Sequence, residues 1–102
     1  MAAIRWTLGA QRDLQAVAEY IGRHSPTYAA ATAARIISAI ERLRRQPHLG
    51  RIVPEFNEET LRELIVGNYR VVYRCKGKVV GIVAIVHGKR LLKRLRAKWA
   101  FD

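Results

Sequence analysis

The chain has 102 residues, half of them hydrophobic, and 19 Lys and Arg against 8 Asp and Glu give it a formal net charge of +11. That apolar content supports one core and one domain and excludes a disordered tail protein, while the positive field selects anionic partners: RNA, DNA, an acidic protein segment or a membrane surface. Cys75 is the only cysteine, which excludes a disulfide scaffold and fits a cytoplasmic protein; no apolar run is long enough to span a bilayer, and residues 1–6 lack the form of a signal peptide.

Residues 4–7, Ile-Arg-Trp-Thr, predict a short first strand. Residues 8–23 switch to a helical period, with Leu14, Val17, Ala18 and Ile21 on one apolar stripe. Thr7 is the expected N-cap, and Asp13 suits the positive end of the helix dipole. Ser25-Pro26 then places an N-cap before a proline at the first helical position, opening a second helix over residues 26–46. Its expected buried face is Ala30, Ala33, Ile37, Ile40 and Leu43, with Ala34 and Ile36 beside them. Small residues from Ala29 to Ala34 permit close approach to the first helix, so the two should form an antiparallel hairpin. Pro47 and Gly50 end the run.

Residues 51–60 read as a loop holding Pro54, Asn57 and the acids Glu55, Glu58 and Glu59. Three strands follow, over residues 61–66, 69–75 and 79–87, joined by Gly67-Asn68 and Lys76-Gly77-Lys78 turns. The last strand is almost wholly apolar, as a central strand covered on both faces should be. Such close spacing implies antiparallel neighbours. Residues 91–101 predict a short basic helix, with Leu91, Leu92, Leu95 and Trp99 opposite Lys93, Arg94, Arg96 and Lys98. The predicted fold is α+β: a short N-terminal strand, an antiparallel helix hairpin, three antiparallel strands and a C-terminal basic helix. The hairpin should cover one face of the sheet.

Strand alternation places Arg70, Val72 and Arg74 on one face and Tyr69, Val71, Tyr73 and Cys75 on the other. Two guanidiniums on one face need solvent, an anion or paired acids. The planar fork of Arg70 suits phosphate oxygens; the plainer alternative is an ion pair with Glu63 or Glu55. His87 ends the central strand beside Gly88, and histidine is the side chain that trades protons near neutral pH. Cys75 reads as a small buried hydrophobe. No cluster has metal-ligand spacing, and there is no phosphate-binding glycine loop and no serine triad signature, so no cofactor is expected.

A set of segments in this order resembles the RelE/ParE superfamily, the toxins of bacterial type II toxin–antitoxin, or plasmid-stabilisation, modules. They are Ala10, Asp13, Leu14 and Tyr20-Ile21, then Ser25-Pro26, Pro47-His48-Leu49-Gly50-Arg51 and Val53-Pro54-Glu55. Leu61-Arg62-Glu63-Leu64, Tyr69-Arg70-Val71-Val72-Tyr73-Arg74 and His87-Gly88-Lys89-Arg90 complete the set. The resemblance implies a growth-inhibiting toxin neutralised by a cognate antitoxin. RelE-like members cut messenger RNA on the ribosome; ParE-like members poison DNA gyrase. By that resemblance Arg70 matches an arginine on the scissile phosphate, Glu55 and His87 match a general acid–base pair, and Arg90 matches a further catalytic arginine. Arg51, Arg62, Arg74, Lys89, Lys93 and Arg94 are the candidate nucleic-acid contacts. The RelE-type lysine pair is absent, its region holding Leu61, Arg62 and Glu63, and no tyrosine follows Tyr73. The leading expectation is ribosome-dependent messenger cleavage without a metal, with Arg70→Ala abolishing toxicity while the fold survives. The alternative is a gyrase poison that acts by protein binding through the basic tail.

Overall fold

The computed structural model describes residues 1–89; the predicted basic helix, with Arg90, Lys93 and Arg94, lies outside them. The elements are β1 (Ala3–Trp6), α1 (Leu8–Gly22), α2 (Pro26–Glu41) closed by a 3-10 turn (Arg42–Arg44), β2 (Arg51–Ile52), β3 (Leu61–Val66), β4 (Tyr69–Lys76) and β5 (Val79–His87). They build one five-stranded sheet in the order β1-β5-β4-β3-β2. β3, β4 and β5 are antiparallel neighbours, as expected, but β1 runs parallel to β5, so the sheet is mixed. β2 corrects the loop reading of residues 51 and 52. Two residues show no period; their pairing with β3 is held by an ion pair across the strands, Arg51 Nε to Glu63 at 2.7 Å.

Both helix starts are capped as the sequence predicts. Ala10 N–H donates to Thr7 Oγ1 at 3.0 Å, and Tyr28 N–H donates to Ser25 Oγ at 3.1 Å. Thr7 also ties the helix start to the sheet, because its hydroxyl donates to the Ile82 carbonyl at 2.9 Å. Asp13 does more than face the dipole. Its carboxylate accepts the Ile85 backbone N–H at 2.9 Å, pinning α1 to β5.

α2 ends earlier than predicted, at Glu41, and its last turn tightens to 3-10 geometry. The tightening buries Leu43 and lets the Arg44 carbonyl accept the Ala2 N–H at 2.8 Å. Its buried face is Ala29, Thr32 and Ile36, then Ile40 and Leu43. Ala30 and Ile37 point outward, so the predicted face was rotated by about one residue in the first three turns. Alanines on both sides of the stripe make that rotation invisible to apolar periodicity, and the buried Thr32 breaks the pattern.

The sheet separates two apolar clusters. Ala10, Ile36, Ile40, Val71, Tyr73, Ile82 and Ile85 pack on the helix side. Val53, Leu61, Val72, Val83, Ala84 and Val86, with Phe56 against them, pack on the other. A bulge in β5 makes this division possible. Val72 pairs with Ala84 and Tyr73 with Ile82, leaving Val83 as the extra residue. Ile82 and Ile85, three apart, can then share the helix face while Val83 and Ala84 share the opposite one.

Tyr73 is fully buried, and its hydroxyl accepts the Gly50 N–H at 2.8 Å. Tyr73→Phe leaves that buried donor unpaired and is expected to cost about 1–3 kcal/mol. Burial pushes the Tyr73 phenol up to about 12 from an ordinary 10. Between those values the unfolded chain releases the proton and the folded chain keeps it, so stability falls as pH rises through the window. Urea midpoints across it should fall less steeply for Tyr73→Phe than for the native chain; parallel curves would refute the assignment.

Candidate functional site

β4 sets Arg70 and Arg74 on the face away from the helices, on either side of Val72. The 53–60 loop lies against that face. Val53 N–H donates to the Leu61 carbonyl at 3.1 Å and closes the base of the loop, while Phe56 packs on the apolar cluster beneath. Asn57 adopts a left-handed φ of 50°, which asparagine tolerates better than most residues. This turn delivers Glu55 to the sheet.

Arg70 sits between two carboxylates. Its Nη1 and Nη2 donate to the two Glu55 oxygens, each at 2.7 Å, and its Nε donates to Glu63 Oε1 at 2.7 Å. Glu63 Oε2 accepts from Arg51 Nε at 2.7 Å. The exposures rank the members: Glu63 is 0% exposed, Arg70 7%, Glu55 15% and Arg51 61%. Two guanidiniums and two carboxylates therefore make a balanced network, open to water mainly through Arg51 and to a smaller extent through Glu55. Hydrogen bonding to Glu55 raises the Arg70 pKa above its ordinary value despite the opposing effect of burial, and Glu63 adds to the rise. The expectation of a guanidinium facing solvent or a foreign anion is corrected here: both plainer partners, Glu55 and Glu63, hold it at once.

The remaining cations take different roles. Arg74 Nη1 reaches Thr60 Oγ1 at 3.3 Å and Glu58 at 3.8 Å, and its buried Nε has no hydrogen-bond partner among the described residues. Arg62 opposes Tyr73, so it leans to the helix side. There it donates to the carbonyls of Gly50 at 3.0 Å and Glu59 at 3.1 Å, a clamp on backbone rather than a free contact. Lys89 is exposed just past β5, and its backbone N–H donates to His87 Nδ1 at 3.3 Å.

His87 is not part of the Arg70 network. It pairs with Tyr69 across β4 and β5, and their rings meet edge to face with centroids 5.9 Å apart. Directly opposed residues share a face, and Tyr69 packs on the helix-side cluster. His87 therefore opens into a groove of about 330 Å³ with Asp13, Val17, Tyr20 and Tyr69. Arg70 and Glu55 stand on the opposite side of the sheet. The sequence pattern brings Glu55 to Arg70 but does not bring His87 to either of them. Glu63, named from the sequence only as an alternative ion-pair partner of Arg70, is a full member of the network; a carboxylate alternating with Leu61 in an apolar strand is the signal for such a buried pair. Cys75 is buried, its thiol donates to the Pro47 carbonyl at 3.2 Å, and burial raises its pKa. Among the described residues, no group of three His, Cys, Asp or Glu side chains is placed to hold a metal ion, and no helix is long and apolar enough to cross a membrane.

The sequence profile of the ParE toxin of type II toxin–antitoxin systems matches residues 4–92. Toxin RelE2 of Caulobacter vibrioides is 39% identical over 92 residues, spanning 89% of this chain and 100% of that one. The fold is similar to the chromosomal ParDE toxin–antitoxin system of P. aeruginosa, with a TM-score of 0.71 at 24% identity, covering 85% of this chain and 96% of that one. It is also similar to the RelBE2 toxin–antitoxin complex of Mycobacterium tuberculosis, with a TM-score of 0.57 at 24% identity, covering 84% and 96%. With the profile spanning all but the ends of the sequence and a toxin relative matched along its full length, the chain belongs to the ParE toxin family of type II toxin–antitoxin systems, within the RelE/ParE superfamily.

Proposed function

We propose that this toxin arrests bacterial growth by binding a protein target in the cytoplasm, DNA gyrase, rather than by cutting messenger RNA. The observation that carries this reading is the division of the expected catalytic set. Arg70 is held by two carboxylates on one side of the sheet, and His87 faces a groove on the other. A phosphodiester cleaved by Glu55, Arg70 and His87 would have to displace Glu55 from Arg70 and reach around the sheet to the imidazole. General acid–base catalysis needs its groups within hydrogen-bond reach of one reacting centre. Binding a protein target makes no such demand. The missing lysine pair and tail tyrosine point the same way.

A cognate antitoxin completes the module. The +11 charge favours an antitoxin segment that is acidic or amphipathic, since complementary charge speeds and orients docking.

Purified, antitoxin-free protein decides between the two activities. It is expected to inhibit gyrase supercoiling of plasmid DNA and to leave a translated messenger intact in primer extension, with or without ribosomes. Cuts that appear only with ribosomes, together with unaffected gyrase, would overturn the proposal in favour of RelE-like cleavage.

A further inference from the structure

The groove into which His87 opens has a charge opposite to the rest of the molecule. Asp13, Ala16, Val17 and Tyr20 form its α1 wall, and their spacing of i, i+3, i+4 and i+7 puts them on one helix face. Tyr69 and His87 form the facing wall, their rings held edge to face across β4 and β5. The chain carries 19 Lys and Arg, yet none of the described residues lining this groove is one of them. Two other grooves differ. Arg35 and Arg42 line one, and Arg44, Arg45 and Lys78 line the other.

Asp13 is the anomaly within the groove. Glu41, Glu55, Glu58 and Glu63 each stand within ion-pair distance of an arginine. Asp13 is half-buried, and among the described residues its carboxylate accepts only the Ile85 N–H, through Oδ2. Oδ1 is left for the groove. A carboxylate withdrawn from water is ordinarily paired, and here the cations of the fold lie elsewhere.

We propose that this groove is a binding site for one arginine side chain carried by a docking protein segment. The guanidinium meets Asp13, the stem lies along Ala16 and Val17, and the segment leaves past Tyr20 and Tyr69. Asp13 and Tyr20 are about 10 Å apart along the helix axis, seven residues at about 1.5 Å each. That length suits a long cationic side chain, whose stem covers apolar surface while its head reaches a charge. Arginine fits better than lysine, because its fork matches a carboxylate and its weaker hydration is easier to strip between aromatic walls. The positive field of the chain repels a lone cation, so the arginine must arrive on a segment whose other contacts help to hold it. The inference goes beyond the gyrase reading and does not depend on which protein the toxin poisons.

The test is heteronuclear NMR of the isotopically labelled full chain titrated with the peptide acetyl-Ala-Arg-Ala-amide. The amides of Ile85, which Asp13 accepts, and of His87 are expected to shift saturably. A citrulline peptide, which keeps the shape without the charge, and a lysine peptide should each bind more weakly. Asp13→Asn keeps an acceptor for the Ile85 N–H but removes the charge, and should weaken the arginine peptide about five-fold. Tyr20→Ala removes one apolar wall and should weaken it about three-fold. Glu19→Gln makes the same charge change on α1 outside the groove and is expected to leave affinity unchanged. Equal binding of the citrulline or the lysine peptide would overturn the proposal. So would equal weakening by Glu19→Gln and Asp13→Asn, or the absence of any shift at Ile85 and His87. Tyr20 is exposed, so its variant keeps the test open if Asp13→Asn folds poorly, and unchanged affinity there would also count against the site. None of these outcomes reads gyrase activity, so failure here is distinct from failure of the proposed target.

Discussion

Arg70→Ala is expected to lower the unfolding free energy by about 3–5 kcal/mol. The reason is Glu63, whose side chain has no exposure and whose two oxygens are met by Arg70 and Arg51. Removing Arg70 leaves a sealed carboxylate with a single, mostly exposed partner, and an unpaired buried charge costs far more than an exposed ion pair contributes. Glu55 suffers less because it lies on the loop and can turn to water. Urea denaturation of the isolated toxin checks this. A midpoint that corresponds to a loss under about 1 kcal/mol would show that water reaches Glu63 more freely than its burial indicates. The paired change Arg70→Met/Glu63→Leu should recover most of the loss, since a buried ion pair replaced as a unit by apolar groups is often neutral.

That loss changes what an Arg70 substitution measures. Small domains hold only about 5–15 kcal/mol of stability in total. A toxin that loses growth inhibition on Arg70→Ala can therefore have lost its fold rather than a phosphate contact. The expectation of an intact, inactive variant suits a surface arginine, and this one is buried. Toxicity data at this position acquire meaning only beside a melting curve. Glu55→Gln is gentler, because it leaves Arg70 and Glu63 paired.

Where one local interaction determines an outcome, the sequence was legible. Thr7 and Ser25-Pro26 cap the helices they precede, and the apolar run of β5 becomes a strand flanked on both sides by others. Alternation along β4 correctly divides Arg70, Val72 and Arg74 from Val71, Tyr73 and Cys75. Features that depend on partners distant in sequence were not legible. The parallel pairing of β1 with β5 joins residues more than seventy positions apart, and nothing in Ala3–Trp6 encodes that direction. The β5 bulge leaves no mark in a segment where every candidate residue is small or apolar. The site divides the same way. An ion pair of Arg70 with Glu55 or Glu63 follows from acids near an inward arginine, but that it meets both, with His87 beyond the sheet, requires the register of β3, β4 and β5.

Gly50→Ala is the second substitution expected to be severe, with a loss of about 3 kcal/mol or more. A Cβ at this position would press on the Glu63 carbonyl oxygen, lie 2.9 Å from the carbonyl carbon and lie 2.7 Å from the Tyr73 hydroxyl. The first two atoms are backbone of β3, and the third ends a fully buried ring, so no flexible side chain can give way. Relief requires moving residue 50 from β3, which strains the Gly50 N–H bond to Tyr73 and the Arg62 bond to the Gly50 carbonyl. The same shift would pull Glu63 from its arginines. Gly77 provides the comparison. It has φ +59°, but a Cβ there meets nothing within 4 Å. Gly77→Ala therefore carries only backbone strain, about 1 kcal/mol. Urea midpoints should rank native, Gly77→Ala and Gly50→Ala in that order. If Gly50→Ala proves no worse than Gly77→Ala, the loop before β2 can yield, and close packing of Gly50 on β3 is not what sets the path of the chain into the Glu55–Arg70–Glu63 network.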